Sequence, residues 1–217
     1  MKKSILFLSL NLFVFSFAFS QTTKDEAKKE INKKAMKMAR KESKRLQKQG
    51  WETDPGSLPL EKMLENYYLN SYLVNEDGSK RFIEASPNEN DRIKQNAYEE
   101  ALQSAGFEIA QKTQQIVNAY VEGNAAKADF SEEEITSIRE YLKNSITLIQ
   151  ANLGYMDPYV KISRMIDNGN IYEVQLKVLY DSKQALNKAE EVVVNGLKEK
   201  LKINDKRLRE IIGIGDK

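Results

Sequence analysis

The chain has 217 residues, with 34 lysines and arginines against 32 aspartates and glutamates, and neither cysteine nor histidine. That length suits one ordinary domain, or a domain with an arm. Without cysteine there is no disulfide scaffold, thiolate metal site or thiol nucleophile. Without histidine the commonest general base and the commonest transition-metal ligand are gone, and serine–histidine–carboxylate triads are excluded. Carboxylate, lysine or tyrosine chemistry is all that remains to an enzyme, so the composition reads as non-enzymatic, with no cofactor and no metal site.

Lys2 and Lys3 precede an apolar run from Ile5 to Phe19, and Ala18 and Ser20 stand at the −3 and −1 positions of a cleavage site before Gln21. Residues 1–20 therefore read as a secretory signal peptide rather than a fold element. The run is short for a membrane span, and no cysteine follows it to accept a lipid. The expected location is the periplasm or cell envelope, or outside the cell, with no transmembrane segment after cleavage.

Residues 21–50 form a basic helical arm. Lys24 to Lys48 holds eleven basic and four acidic residues, which leaves an acidic balance on residues 49–217. Alanine, lysine, glutamate and methionine favour a helix here, with Ala27, Ile31, Ala35, Met38 and Leu46 near one narrow face. Lys33, Lys34, Lys37, Arg40, Lys41, Lys44 and Arg45 are the candidate contacts to an anionic surface. The arm either binds such a surface or packs lightly on the acidic body. It carries no aromatic residue to stack on bases, which argues against nucleic acid.

Gly50 stops the arm, and residues 51–217 read as a single α+β domain. Thr53-Asp54-Pro55-Gly56 is a turn signature. A helix opens near Leu60, and a short hairpin is expected from Ser71–Val74 and Arg81–Ala85. Ser86-Pro87-Asn88-Glu89 combines an N-cap serine, proline at the first helical position and glutamate closing a capping box. A helix is therefore expected from there to Glu122, with Ile93, Ala97, Ala101, Ala105, Ile109, Ile116 and Tyr120 buried. Ser131 and Glu134 repeat the box for a helix ending at Gly154. The run Glu132-Glu133-Glu134 belongs to its first turn, where carboxylates favour the dipole. Ser182 is expected to cap a further helix, and a last one spans about Asp205 to Ile212.

Asp157 to Asp181 is the clearest strand signal. Val160, Ile162 and Ile166 share one parity, and Tyr172, Val174, Leu176, Val178 and Tyr180 another, as in strands with one buried face. Asn168-Gly169 suggests a two-residue turn, but that register sets Ile162 beside Gln175. A bulged three-residue loop pairs Ile162 with Val174 and gives one coherent apolar face, which is the preferred register. Arg164 interrupts that face, either as a snorkelling edge residue or as the partner of a buried carboxylate. The expected architecture is α+β: a small antiparallel sheet of one or two hairpins, with long helices on one face and a basic N-terminal helix.

Trp51, Tyr67, Tyr68 and Tyr72, with Tyr155 and Tyr159 from the loop before the main hairpin, either cover one end of the sheet or form a rim that binds sugar or peptide.

The long alanine-striped helix, a second helix and the hairpin DNGNIYEVQLKVLY after an export signal resemble the small bacterial envelope lipoprotein domain shared with the N-terminal part of a flagellar assembly protein. The resemblance covers about residues 86–185. Gly50-Trp51 and Pro55-Gly56-Ser57-Leu58-Pro59-Leu60-Glu61-Lys62 resemble exported proteins of anaerobic diderm bacteria. The resemblance implies an α+β envelope domain used for binding or assembly, and no catalytic residues. The missing lipid-acceptor cysteine departs from the lipoprotein pattern. The expectation is an exported, non-enzymatic envelope protein that binds another envelope protein or itself. The alternative is a carbohydrate- or peptide-binding module, or a carboxylate-dependent hydrolase, at the tyrosine rim.

Overall fold

The computed structural model describes residues 11–125, 130–201 and 205–212. Lys2, Lys3, the first part of the apolar run and the Gly213-Ile214-Gly215 tail lie outside these residues. Helix α1 (Asn11–Lys48) is followed by β1 (Glu52–Thr53), α2 (Leu60–Ser71), β2 (Phe82–Ala85), β3 (Asn88–Asp91) and α3 (Lys94–Ala125). Then come α4 (Glu132–Asn144), α5 (Ile146–Leu153), β4 (Val160–Ile166), β5 (Ile171–Asp181), α6 (Ser182–Leu201) and α7 (Asp205–Ile212). The fold is α+β, with a small antiparallel sheet ordered β1-β4-β5-β2 and β3 also paired to β5.

The central hairpin adopts the register that the apolar pattern argued against. Ile162 pairs with Gln175, Val160 with Lys177 and Ile166 with Ile171. Asn168 (φ 53°) and Gly169 (φ 90°) both lie in the left-handed region, and the Asn170 N–H donates to the Asp167 carbonyl at 3.1 Å, as in a type I′ turn. The coherent-face argument fails because this sheet has no wet face. Val174, Leu176, Val178 and Tyr180 enter a core with α3, α4, α5, α6 and α7, while Val160, Ile162 and Leu179 enter a second core with α1 and α2. Helices cover both faces rather than one, so the apolar parities of the two strands belong to opposite layers.

A second correction concerns Ser86 to Glu89. These residues do not cap a helix. Phe82–Ala85 and Asn88–Asp91 pair with β5 in one unbroken register, from Phe82 opposite Asp181 to Asp91 opposite Tyr172. They form one edge strand interrupted at Pro87, whose carbonyl still accepts from the Leu176 N–H at 3.1 Å. Residue 87 faces β5, so its nitrogen, which carries no hydrogen, leaves the ladder one bond short and divides the edge strand there. The distant partner strand outweighs the local cap preference, and α3 starts at Lys94. Just before it, Asp91 Oδ1 accepts from the Ile93 N–H at 2.7 Å, and the Ile93 carbonyl accepts the first helical bond, from the Ala97 N–H. Ile93 is consequently exposed, as is Tyr120, whereas Ala97, Ala101, Ala105 and Ile109 are fully buried. The three alanines let α3 lie close on the sheet. The expected short hairpin reduces to one bridge, Val74 to Lys80, because the following strand pairs with β5 instead.

Other local signals hold. Ser131 and Glu134 form the reciprocal capping box. The expected single helix to Gly154 breaks at buried Ser145, whose hydroxyl donates to the Leu142 carbonyl at 2.7 Å. Asp181, not Ser182, caps α6: its Oδ1 accepts from the Gln184 N–H at 2.9 Å, while the Ser182 hydroxyl donates to the Lys80 carbonyl.

Candidate functional site

Helix α1 ends in a Schellman motif. Gly50 (φ 81°) takes the left-handed conformation, its N–H donates to the Gln47 carbonyl at 3.1 Å, and the Trp51 N–H donates to the Leu46 carbonyl at 3.1 Å. Leu46 and Trp51 then pack in the same core. The turn fixes the direction in which α1 leaves the body. The segment expected as an arm thereby contributes to the second core: Ala35, Ala39, Ser43 and Leu46 are buried. This face differs from the one expected, since Ile31 is exposed and Met38 only half-buried.

Polar contacts finish the docking. The Tyr68 hydroxyl donates to Glu42, and the Tyr72 hydroxyl donates to Met38 Sδ at 3.1 Å. Lys177 of β5 reaches Glu42 Oε1 at 3.4 Å and lies 5.0 Å from the Tyr67 ring centroid. The Tyr67 hydroxyl donates to Glu84 Oε2 at 2.9 Å. Burial pushes both phenols well above the usual tyrosine range, helped by the neighbouring carboxylates of Glu84 for Tyr67 and Glu42 for Tyr68.

The expected aromatic rim is therefore not a rim. Trp51 and Tyr67 are buried, and Tyr68 and Tyr159 pack against the same core. Tyr72 is half-buried under α1. Tyr155 alone is open, at 79% exposure. These rings are spent on holding the α1–α2 layer, so they offer no shared face to a sugar or a substrate. Arg164 is the carboxylate partner. Its Nε lies 2.5 Å from Glu173 Oε2, its Nη1 donates to the Gln49 carbonyl at 3.1 Å, and its guanidinium stacks 4.7 Å from the Trp51 ring. It ties the end of α1 to β4. On the same side of the molecule Asp54 accepts from Lys94 at 2.6 Å and meets Lys161 at 2.9 Å; the hydrogen bond from Lys94 above all holds its carboxyl below the ordinary range, against a smaller opposing effect of burial.

The expected anionic-surface residues divide into two groups. Lys34 lies 5.3 Å over the Tyr72 ring, Arg40 pairs with Glu61 at 3.3 Å, and Arg45 contacts Glu42 and Gln49. These three are partly engaged within the protein. Lys33, Lys37, Lys41 and Lys44 are exposed and make no ion pair among the described residues. At 100° per residue they centre on the side of α1 opposite Ala35, Ala39 and Leu46, and Lys29 and Lys48 fall in the same stripe. Lys29 and Lys48 are absent from the residues expected on this surface, though helical spacing from Lys33 and Lys44 finds both. From Lys33 to Lys48 the stripe runs about 22 Å at the helical rise.

Among the described residues no helix is long and apolar enough to cross a membrane, and no group of three or more acidic residues could hold a metal ion. Glu132 and Glu133 are exposed, and Glu134 serves the cap. Comparison of the chain with protein-family models, with curated proteins and with solved structures finds no match.

Proposed function

We propose that this is a non-enzymatic binding or assembly protein of the cell envelope, and that it holds an anionic lipid surface through the outer face of α1. One observation carries the reading. The outer side of α1 presents Lys33, Lys37, Lys41, Lys44 and Lys48 to solvent, flanked by Lys29, without internal partners among the described residues, while Lys34, Arg40 and Arg45 are engaged. A row of ammonium groups along a helix docked on the body matches a plane of phosphate headgroups better than it matches a small anion. Export directed by residues 1–20 would bring the helix to such a surface. From residue 26 onward, where the side chains of α1 are described, its large exposed apolar residues are Ile31 and Met36, too few to bury that part of the helix in lipid, so it lies on the surface.

Each lysine near a strongly anionic leaflet is worth roughly fivefold in affinity. Changing Lys33, Lys37, Lys41 and Lys44 together to glutamine, a good helix former, is expected to weaken sedimentation with phosphatidylglycerol vesicles by roughly several hundredfold. The circular dichroism spectrum stays unchanged, and about 0.5 M salt has a similar effect on the unaltered protein. Equal binding to phosphatidylglycerol and phosphatidylcholine vesicles, or full retention by the quadruple variant, would sink the proposal.

A further inference from the structure

We propose that the open edge of β3 captures an extended, cationic segment of a partner protein as an added strand. This rests on a part of the molecule remote in sequence from α1 and does not depend on the lipid reading.

The Pro87 carbonyl points at β5, where it accepts from Leu176 N–H. Backbone groups alternate along a strand, so the even-numbered residues of the edge turn their N–H and C=O outward. The first part of that edge is covered. Lys112 Nζ donates to the Glu84 carbonyl at 2.5 Å, and the Ser86 N–H donates to Glu108 Oε2 at 3.3 Å. The cover then stops. The outward N–H and C=O of Asn88 and Asn90 have no partner among the described residues. Proteins normally blunt such edges, because free ladder groups accept any added strand. Here half the edge is blunted and half is left.

A groove of about 580 Å³ lies beside the open half, between Ser86, Asn88 and Glu89 on the strand and Ser104, Phe107 and Glu108 on α3. Phe107 is 45% exposed, although it sits on a helix with a large buried face. Two carboxylates line the groove and no lysine or arginine does. Each uses one oxygen internally: Glu89 Oε1 accepts from the Ser104 hydroxyl at 2.6 Å, and Glu108 Oε2 from the Ser86 N–H, with Lys112 Nζ 4.0 Å from that same oxygen, so Glu89 is the carboxylate with no cation beside it among the described residues. Their other oxygens have no hydrogen-bond donor among the described residues.

These features specify the occupant. Its backbone is extended, to match Asn88 and Asn90. Its side chains on the α3 side, two residues apart, are a lysine or arginine for the carboxylates and an apolar group for Phe107. A second copy of the chain fits poorly. Antiparallel pairing centred on the Asn88–Asn90 step sets Glu89 directly opposite the same glutamate of the other copy, and like charges at opposed positions repel.

The test uses the full chain and a blocked synthetic peptide, Thr-Lys-Thr-Val-Thr-Lys-Thr-Val-Thr, with a second peptide carrying glutamate for lysine. The lysine peptide is expected to slow hydrogen exchange of the Asn88 and Asn90 amides at least tenfold, and the glutamate peptide to leave it unchanged. Asn90→Pro removes an outward N–H that makes no bond among the described residues, and it lowers affinity at least tenfold. Phe107→Ser does the same from the opposite wall, without touching the strand. Lys33→Gln with Lys37→Gln leaves peptide binding as it was, which separates this site from α1. No protection at Asn88 and Asn90, equal binding of both peptides, or unchanged affinity in Asn90→Pro and Phe107→Ser overturns the proposal. So does a dimer in sedimentation whose Asn88 and Asn90 amides are protected without peptide, which assigns the edge to a second copy.

Discussion

The two faces of the sheet are held by different chemistry. On the α3 side the core is almost wholly aliphatic: Ile109, Ile138, Leu142, Ile149, Leu176 and Leu197 are all fully buried, and they come from five elements. On the α1 side Leu46, Leu64, Trp51 and Ile162 form a smaller cluster, ringed by Tyr67, Tyr68, Glu42, Lys177, Arg164 and Glu173. Apolar burial is non-directional and tolerates small shifts, whereas paired charges and phenol hydrogen bonds hold only in one geometry. The α3 side therefore supplies the bulk of the stability, and the α1 side sets where one helix sits. A helix that presents its outer face to lipid, as proposed, needs a fixed position more than it needs a deep core.

The largest expected effects separate the two faces. Leu176→Ala in the aliphatic core should cost about 3–5 kcal/mol and lower Tm by roughly 8–15 °C. Far-UV circular dichroism and Trp51 fluorescence should fall together. Leu64→Ala on the other face removes the same atoms, but its damage should concentrate in the α1–α2 layer. Trp51 is the only tryptophan and lies in that layer, so its fluorescence transition should precede the loss of helix. Coincident transitions in Leu64→Ala would show one cooperative unit and erase the distinction.

Arg164→Met comes next. It strips Glu173 of its cation while Asn88 still donates to Glu173 Oε1 at 2.7 Å, and it frees the Gln49 carbonyl. A half-buried carboxylate left in that position costs about 2 kcal/mol. Arg164→Lys should recover less than half, because lysine provides neither the planar fork nor the stacking on Trp51. A red shift of tryptophan emission in the folded state would mark the release of the α1 end. An unshifted spectrum with normal stability would show that the stacking and the pair are ornamental to docking.

How far these layers are legible in the sequence depends on distance along the chain. The Ser131–Glu134 capping box and the Gly50 stop are complete within a few residues, and both stand as read. Ser86-Pro87-Asn88-Glu89 carries the same local letters, yet β5, far along the chain, takes the segment as an edge strand. The hairpin register fails for a related reason. Alternation in Val160–Ile166 and in Ile171–Asp181 reads as two halves of one face, since nothing local reveals that α1 and α2 cover the other side. Without that layer, Trp51, Tyr67, Tyr68 and Tyr159 look free to bind a ligand. The lysine face of α1 is legible, because helical period is a local property. Which cations stay unpaired is not, because that depends on Glu61 and Tyr72 across the docked interface.

Proton titration probes the polar face at smaller amplitude. Tyr68 has its ionisation raised above the ordinary value of 10.0 by burial and by the hydrogen bond to Glu42. A group so raised contributes fully below its unfolded value and loses that contribution as pH climbs above it. Stability should therefore fall from about pH 10 upward. Tyr68→Phe should cost about 1 kcal/mol at neutral pH and make the alkaline decline shallower. An alkaline limb of unchanged steepness would place the titrating group elsewhere.

Asp54 should show the smallest effect, with the opposite sign. Its carboxyl is held below the ordinary 3.8 chiefly by the Lys94 hydrogen bond, with Lys161 adding to it and burial opposing. A depressed carboxylate stabilises above its unfolded value, and that contribution is lost as pH falls through the folded value. Asp54→Asn should leave the alkaline limb untouched and flatten the acid limb below about pH 4. The neutral-pH cost should stay under about 1 kcal/mol, because the carboxylate and both lysines are partly open to solvent. Asp54 joins the turn after β1 to the start of α3 and to β4, so it is one of the few charged contacts that spans both layers. If acid released the α1–α2 layer alone, Trp51 emission would shift before the helix signal falls, and the Asp54→Asn variant would lose that lead. If both signals moved together in the two proteins, the charged girdle would belong to the whole fold rather than to the docked face.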